Sequence, residues 1–328
     1  MNYRPLGSTG ISVSELVFGC GAVGGLMINA PETVRQDAFD LALASGINWF
    51  DTAASYGQGL SEENLGYLLA GCKSSRPHVS TKVTIDTRNT DYAAQVEASL
   101  TQSLERLQSS SVTLLQLHNP IAPATDRRTL GVTEVLKPGG VLAAMEAVRD
   151  KGLCDHIGIT ALGDTTSLIR VIDSGRIATA QVYYNLLNPS AGQELPDSWP
   201  HYSFSGLIDA CVGNDVAPMN IRVFSAGVIA TTVRHGREQP LTAGDTVVSE
   251  TDKARHIFAA IDPEGNTRAQ TAVRFALSEP RMACVVIGLA EQAYLEEAIA
   301  AAEQGPLPES SMSAIRTAWQ TYGSEPST

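Results

Sequence analysis

Short apolar segments alternate with longer amphipathic segments through almost the whole chain, and this alternation sets the strongest limit on the fold. Segments that are apolar on both faces are typical of buried parallel strands. They lie at residues 16–19, 48–51, 79–83, 112–118, 156–160, 180–184, 217–224 and 284–287. The segments that follow carry apolar residues at spacings of three and four, which predicts helices. These helices are expected over residues 31–45, 61–70, 91–107, 141–151, 165–174, 204–212, 267–278 and 293–301.

Eight strand–helix units with no compositional break favour a closed (β/α)8 TIM barrel that forms a single domain over residues 1–328. A doubly wound open sheet is the alternative. Residues 6–11 read as the turn of an N-terminal β-hairpin. Long connections at 119–140, 187–202 and 226–265 follow strands four, six and seven. In a barrel these connections lie at the functional end, so we expect them to cover substrate or cofactor.

Charge and cysteine usage narrow the classes of partner. The net charge of −12 and the pI near 4.9 argue against nucleic acid and anionic membranes, and favour a small, uncharged or weakly charged substrate. The five cysteines stand singly without a CxxC pair, which favours reduced thiols in a cytoplasmic protein over disulfides or a metal site. No apolar run resembles a signal peptide or a membrane span. A closed barrel needs no partner, so a monomer or weak homo-oligomer is expected.

Four polar residues lie at the ends of neighbouring predicted strands. Asp51 ends the second strand, Tyr56 follows five residues later, Lys82 lies near the end of the third, and His118 ends the fourth. In a parallel barrel these positions converge at one end. A lysine cation beside a phenol stabilises tyrosinate, and Asp51 would keep Lys82 charged and oriented. His118 would hydrogen-bond the substrate oxygen or help to pass a proton, so the group as a whole forms a general acid.

Each of these residues also has a purely structural interpretation. Asp51 could cap the loop after its strand, Tyr56 could be a surface aromatic residue, and Lys82 could be a solvated strand end. His118 could be a hydrogen-bonded core histidine. Their joint placement favours a catalytic site, because unrelated polar residues rarely converge on adjacent strand ends.

Three segments around these residues resemble a known family. Residues 50–57 (FDTAASYG), 80–83 (STKV) and 115–120 (LQLHNP) are similar to the signature segments of the aldo-keto reductases, and the resemblance extends from the opening hairpin to Ala301. It implies a (β/α)8 barrel that binds a nicotinamide dinucleotide without a Rossmann fold. It also implies that Asp51, Tyr56, Lys82 and His118 are catalytic and that a hydride moves between the nicotinamide and the substrate carbon.

The resemblance also implies cofactor contacts. Thr160 and Gln181 match the positions that hold the carboxamide, although Ala161 stands where the family usually has an amide. Phe224 matches the aromatic residue that stacks on the nicotinamide, with ordinary core packing as the alternative. The remaining matches are Gly21 and Ala22 beneath the ribose and nicotinamide, and Ser225, Ala226 and Gly227 near the pyrophosphate, where the usual proline is absent.

The segment after strand eight departs most from the resemblance. The positions assigned to the cofactor there are Gly288, Leu289, Ala290, Tyr294, Glu297 and Ala298. Relatives that prefer NADP carry basic and hydroxyl side chains in this segment, whereas this chain places carboxylates nearby. A phosphate beside carboxylates is unfavourable, while a ribose hydroxyl accepts such a neighbour. NAD(H) is therefore favoured. NADP(H) remains an alternative if Arg234 or Arg237 folds over the site, and an exposed position is the other interpretation of these arginines.

The predicted pocket walls suggest the substrate class. Residues 119–140 and the aromatic residues Trp199, Tyr202 and Phe204 combine apolar surface with hydrogen-bonding groups, which suits a polyol, a sugar or a ring-bearing aldehyde. The strand-four insertion, the segment 182–185 and the strand-eight loop look most like the bacterial and plant aldose dehydrogenases. Two other hypotheses stay open: a non-catalytic nicotinamide-sensing regulatory subunit, and a Schiff-base aldolase with Lys82 as nucleophile. Asp51 argues against the aldolase because it would keep the amine charged.

Overall fold

The computed structural model describes residues 1–72, 76–234, 236, 238, 240, 244–261 and 265–322. Within them the strands are β1 Tyr3–Pro5, β2 Ser12–Ser14, β3 Leu16–Gly19, β4 Trp49–Asp51, β5 His78–Val83, β6 Val112–Leu117, β7 Ile121–Ala122, β8 Leu130–Gly131, β9 Cys154–Ala161, β10 Thr179–Tyr183, β11 Ala217–Ile221 and β12 Cys284–Gly288. The helices are α1 Leu26–Asn29, α2 Glu32–Ala44, α3 Leu60–Gly71, α4 Tyr92–Arg106, α5 Val132–Leu136, α6 Val141–Asp150, α7 Thr165–Ile172, α8 Leu207–Gly213, α9 Val247–Ala260, α10 Arg268–Leu277, α11 Gln292–Gln304 and α12 Glu309–Thr321.

Eight parallel strands close into a barrel in the order β10-β11-β12-β3-β4-β5-β6-β9, which confirms the predicted (β/α)8 fold. Strands β1 and β2 pair in antiparallel fashion, so the predicted N-terminal hairpin is also present. Leu6 and Val13 of this hairpin segment pack against Val17, Trp49 and other apolar residues inside the barrel. The hairpin therefore covers the barrel end at which the strands begin.

Residues on each barrel strand alternate between the surrounding helices and the interior, as the two-residue period of a strand requires. On β3, Leu16 and Phe18 belong to the large core beneath the helices, whereas Val17 belongs to the smaller interior cluster. Trp49, Leu114 and other interior residues fill that cluster. Two residues further along, at the strand ends, the interior positions form one layer of mainly polar or small residues: Gly19, Asp51, Lys82, Gln116, Thr160, Gln181, Ile221 and Gly288.

Two connections that the sequence predicted as loops contain regular structure. The connection at 119–140 holds β7, β8 and α5, and the connection at 226–265 holds the 14-residue helix α9. The prediction missed α9 because its buried face is partly charged: Glu250 and Lys253 are buried beside Ala254 and Ile257. The sequence prediction also missed α12, on which Trp319 is buried and donates to the carbonyl oxygen of Leu186 at 3.0 Å.

The predicted seventh strand was too long, because β11 ends at Ile221 and not at Phe224. The chain leaves the sheet at Arg222, whose φ of +65° is incompatible with a strand. Arg237 and the terminal segment 323–328 lie outside the described residues. None of the helices in the described ranges is long and apolar enough to cross a membrane.

Candidate active site

The polar layer at the carboxyl ends of the strands centres on a buried ion pair. The Lys82 Nζ atom lies 2.6 Å from Asp51 Oδ2 and donates to the carbonyl oxygen of Thr52 at 2.8 Å. Burial disfavours the lysine cation, but the neighbouring Asp51 carboxylate, with a smaller contribution from Tyr56, outweighs this effect and raises the pKa of Lys82 above its usual value. Lys82 therefore stays protonated at neutral pH. A charged amine with engaged donors does not suit a Schiff-base nucleophile.

The second oxygen of the Asp51 carboxylate accepts three hydrogen bonds from other strands of the barrel. Asp51 Oδ1 lies 2.6 Å from Ser80 Oγ, 2.9 Å from Gln181 Nε2 and 3.2 Å from Gln116 Nε2. The Ser80 hydroxyl in turn accepts from Trp49 Nε1 at 2.9 Å. These donors come from β4, β5, β6 and β10, so the barrel fixes the carboxylate from several directions. A carboxylate held in this way orients the lysine cation without rotating.

Tyr56 lies beside this ion pair, in the connection that leaves β4. The Lys82 Nζ atom is 4.8 Å from the centroid of the Tyr56 ring. The chain turns sharply after the tyrosine, and Gly57, Gln58 and Gly59 all have positive φ. A buried hydrogen bond of 2.8 Å between the Thr52 and Ser61 hydroxyls fixes the connection to the start of α3. A constrained turn thus holds Tyr56 above the Lys82 side chain.

His118 follows the last residue of β6 and meets the edge of the Tyr56 ring. The two ring centroids are 5.7 Å apart with an interplanar angle of 82°. Burial, reinforced by the Lys82 charge, lowers the pKa of His118 to about 4. The imidazole is therefore neutral at physiological pH and offers one N–H donor. The Ser55 hydroxyl lies 3.4 Å from its Nδ1 atom.

A cavity of about 600 Å³ opens directly above this group. Asp51, Tyr56 and His118 line it, whereas Lys82 is buried behind them. The cofactor residues predicted from the sequence that line the same cavity are Gly21, Ala22, Thr160, Gln181, Phe224, Ala226, Gly227, Gly288, Ala290, Tyr294, Glu297 and Ala298. The structure thus brings most of the predicted residues to one cavity, and their contacts with a cofactor stay predictions.

Two of the predicted cofactor residues face away from the cavity. The Ser225 hydroxyl donates to Glu250 Oε2 of α9 at 2.8 Å, which ties the turn at 225–227 to the helix that follows it. Leu289 is 1% exposed, and its carbonyl oxygen accepts from the backbone N–H of Leu26 at 3.0 Å. Their part in cofactor binding would therefore come from the backbone.

The predicted aromatic wall of the pocket was wrong. Trp199 is buried in the core, where it donates to the carbonyl oxygen of Leu187 and packs against Tyr322. Tyr202 and Phe204 contact each other outside the main cavity. An aromatic-rich loop is typical of a substrate wall, but large aromatic side chains fill cores equally well.

Several residues that line the cavity were missed. Among them, Ile221 is the interior position at the end of β11, and the two-residue period of that strand could have identified it. Gly24 packs against the backbone of Leu289, where an added Cβ would lie 2.3 Å from the carbonyl oxygen. Arg222 also lines the cavity. Nothing in the sequence distinguished Arg222 from its neighbours, since it lay within a segment predicted to be a strand.

A parallel barrel whose mouth holds a tyrosine between a buried lysine–aspartate pair and a neutral histidine has the architecture of a carbonyl oxidoreductase. The chain belongs to the aldo/keto reductase family, whose model matches residues 15–320. It is 27% identical over 319 residues to D-threo-aldose 1-dehydrogenase of a Pseudomonas species, covering 88% of this chain and 89% of that protein. It is also 27% identical over 309 residues to L-galactose dehydrogenase of Arabidopsis thaliana, covering 91% and 87%.

The barrel also resembles the holo form of the aldo-keto reductase AKR11C1 from Bacillus halodurans. The TM-score is 0.73 at 20% identity, with 97% of this chain and 96% of that chain covered. At this identity the likeness supports the fold. The protein is accordingly an NAD(P)-dependent oxidoreductase that acts on small carbonyl compounds or the matching alcohols. Neither the regulatory-subunit hypothesis nor the aldolase hypothesis is favoured.

Proposed function

We propose that this protein transfers a hydride between a nicotinamide and a sugar-like carbonyl or hydroxyl carbon, with Tyr56 as the proton donor. The observation that carries the proposal is the arrangement at the cavity floor, where the Lys82 cation lies 4.8 Å from the Tyr56 ring and 2.6 Å from Asp51. A cation beside a phenol stabilises the phenolate that forms when the tyrosine gives up its proton. The relatives named for aldose and galactose oxidation support a sugar-like substrate.

The remaining residues of the group act on the same oxygen atom. His118, neutral at physiological pH, donates a hydrogen bond that holds the substrate carbonyl near the tyrosine hydroxyl. Asp51 keeps Lys82 charged and positioned, because its own position is fixed by three donors. In the oxidation direction the phenolate of Tyr56 acts as the base and accepts the proton of the substrate hydroxyl.

The cavity fits a nicotinamide dinucleotide. Thr160 Oγ1 is buried without a hydrogen-bond partner in the described part of the chain, and it lines the cavity beside Gln181. A carboxamide offers the donor and acceptor that such a pair of side chains would use. Gly227 and Gly288 line the cavity with open space at their Cβ positions. When bound, the nicotinamide supplies or accepts the hydride.

NAD(H) is the cofactor that the charges around the cavity favour. Glu291 and Glu297 line it and would repel a 2′-phosphate, whereas a ribose hydroxyl can donate to a carboxylate. Arg234 is a weaker candidate for phosphate binding, because its guanidinium already donates to the carbonyl oxygens of Val228 and Thr231 within its own connection. The candidate cation for NADP(H) is Arg268, which precedes the cavity-lining Ala269 and whose Nε and Nη2 atoms have no hydrogen-bond partner among the described residues.

The test is a parallel fluorescence titration of NADH and NADPH against the wild type, Tyr56→Phe and the control Tyr67→Phe, followed by turnover with a panel of aldoses. Tyr67 is 68% exposed on α3 and lies outside the cavity lining. We expect tighter binding of NADH, and a Tyr56→Phe variant that binds the cofactor but loses turnover by about 10²- to 10⁴-fold. Tighter binding of NADPH would contradict the cofactor preference and implicate Arg268. Absence of binding by either cofactor would contradict the function itself.

A further inference from the structure

Arg222 stands at the rim of the proposed active site in a strained backbone conformation. It follows the last residue of β11, lines the cavity, and has a φ of +65°. A non-glycine residue in the left-handed region is uncommon and is retained where the surroundings enforce it. Two hydrogen bonds to its carbonyl oxygen hold this conformation. One is donated by Asn185 Nδ2 at 2.9 Å and the other by the backbone N–H of Ser225 at 2.9 Å. The turn therefore fixes where the Arg222 side chain leaves the backbone.

The guanidinium of Arg222 has no protein partner in the described part of the chain, where it forms neither a hydrogen bond nor an ion pair. Three other partly buried arginines do have partners. Ion pairs of 2.9, 2.7 and 2.6 Å join Arg4 to Glu15, Arg106 to Glu62, and Arg176 to Glu146. Arg222 is half-buried and lines the cavity, so its guanidinium faces the cavity with its donors available. Its five donors point to an anion that arrives from the cavity.

The charge of Arg222 acts at the reacting end of the cavity. Burial lowers the pKa of Arg222, and this effect is opposed by Tyr183, Tyr56 and Glu250. Arginine nevertheless keeps its charge in proteins. Its cation also contributes to the low pKa of His118. Glu250 is a weak counter-charge because burial raises its pKa.

We propose that Arg222 binds an anionic group of the substrate, a carboxylate or a phosphate, on the same molecule as the carbonyl that Tyr56 protonates. The inference rests on the proposed function and narrows its substrate class to oxidised or phosphorylated sugar-like aldehydes and related acids. A planar guanidinium can bind both oxygens of such a group and orient the substrate. The local cation also offsets the repulsion that a net charge of −12 exerts on an anionic substrate.

The test compares two aldehydes of similar size, 4-carboxybenzaldehyde and 4-nitrobenzaldehyde, on the wild type, Arg222→Met, Arg222→Lys and the control Arg127→Met. Arg127 is exposed between β7 and β8, so its loss removes one charge without removing a cavity group. We expect the ratio of kcat/KM for the carboxylate to that for the nitro compound to fall about tenfold or more in Arg222→Met, mainly through KM. Arg222→Lys should recover part of the ratio, and Arg127→Met should keep it.

The other outcomes overturn the proposal in distinguishable ways. An equal loss for both aldehydes, together with weaker NADH binding by fluorescence, would show that a cofactor phosphate is the anion. An equal loss with unchanged cofactor binding and a shifted pH profile would show that Arg222 acts through Tyr56. A ratio that does not change would exclude anion recognition while leaving the proposed function intact. If the wild type turns over no carbonyl compound with either cofactor, the proposed function fails and this inference fails with it.

Discussion

Replacing Lys82 by methionine should separate the structural role of the buried ion pair from its chemical role. Methionine fills nearly the same volume, but it leaves the Asp51 carboxylate without its cation at a site where both side chains are at most 5% exposed. Removing one partner of a buried pair typically costs about 3–5 kcal/mol of folding free energy. The three remaining donors to Asp51 Oδ1 should keep the loss near the lower end, at about 3 kcal/mol. Turnover should fall by about 10²- to 10⁴-fold because the phenolate of Tyr56 loses its stabilising charge.

Urea unfolding followed by tryptophan fluorescence measures the first effect, and kcat/KM with NADH measures the second. The double variant Asp51→Asn/Lys82→Met removes both charges, so it should be more stable than Lys82→Met by about 1–3 kcal/mol while staying inactive. Lys253→Met is the matched control: Lys253 is buried on α9, pairs with Asp245 at 2.9 Å, and is not among the residues that line the cavity. It should lose stability without a comparable loss of turnover. A stability loss below about 1 kcal/mol in Lys82→Met, or an active double variant, would refute this reasoning.

Two further predictions concern pH and packing. The pKa of His118 is lowered to about 4 in the folded protein, against about 6.5 when unfolded, so its contribution to stability is complete above pH 6.5 and is lost as the pH falls toward 4. The free energy of unfolding of the wild type should therefore fall between pH 6.5 and 4 by up to about 3 kcal/mol more than that of His118→Asn. Urea titrations at each pH measure both values. If the two proteins lose stability equally over this range, the low pKa is contradicted. Gly24→Ala should weaken NADH binding in a fluorescence titration, because its Cβ would lie 2.3 Å from the Leu289 carbonyl oxygen, whereas Gly71→Ala meets no atom within 4 Å and should leave binding unchanged. Equal affinities of the two variants would show that the contact of Gly24 with Leu289 does not shape the site.

The barrel could be predicted because its parallel strands are apolar on both faces. This pattern can be recognised in the sequence without knowing how the side chains pack. Strand ends were harder to predict. Val223 and Phe224 continue an apolar run, but Arg222 leaves the sheet, so composition extended β11 by three residues beyond Ile221. Helix α9 was missed for the opposite reason. Its buried Glu250 is hydrogen-bonded to Ser225 and its buried Lys253 is paired with Asp245, and such partners become visible only in three dimensions.

The convergence of Asp51, Tyr56, Lys82 and His118 could be predicted because each lies at or just after the end of a strand, and parallel strands bring their ends together regardless of the loops. The cavity wall could not, since the side chains that line it come from connections whose paths depend on distant contacts. Trp199 illustrates this limit: its aromatic ring suited a substrate wall, but the ring packs against Tyr322 of the C-terminal segment.

The two-residue period of the strands explains how one barrel carries both a core and a reactive site. Trp49 and Leu114 fill the interior near the hairpin, while Asp51 and Gln116, two positions further along the same strands, carry the polar network. The apolar layer separates the ion pair from the solvent at the hairpin end, so the charges of Asp51 and Lys82 interact through protein and not through water. Small molecules reach the polar network from the other end, through the cavity above Tyr56. The electrostatics of the candidate site therefore depend on the apolar layer below it as much as on the polar residues themselves.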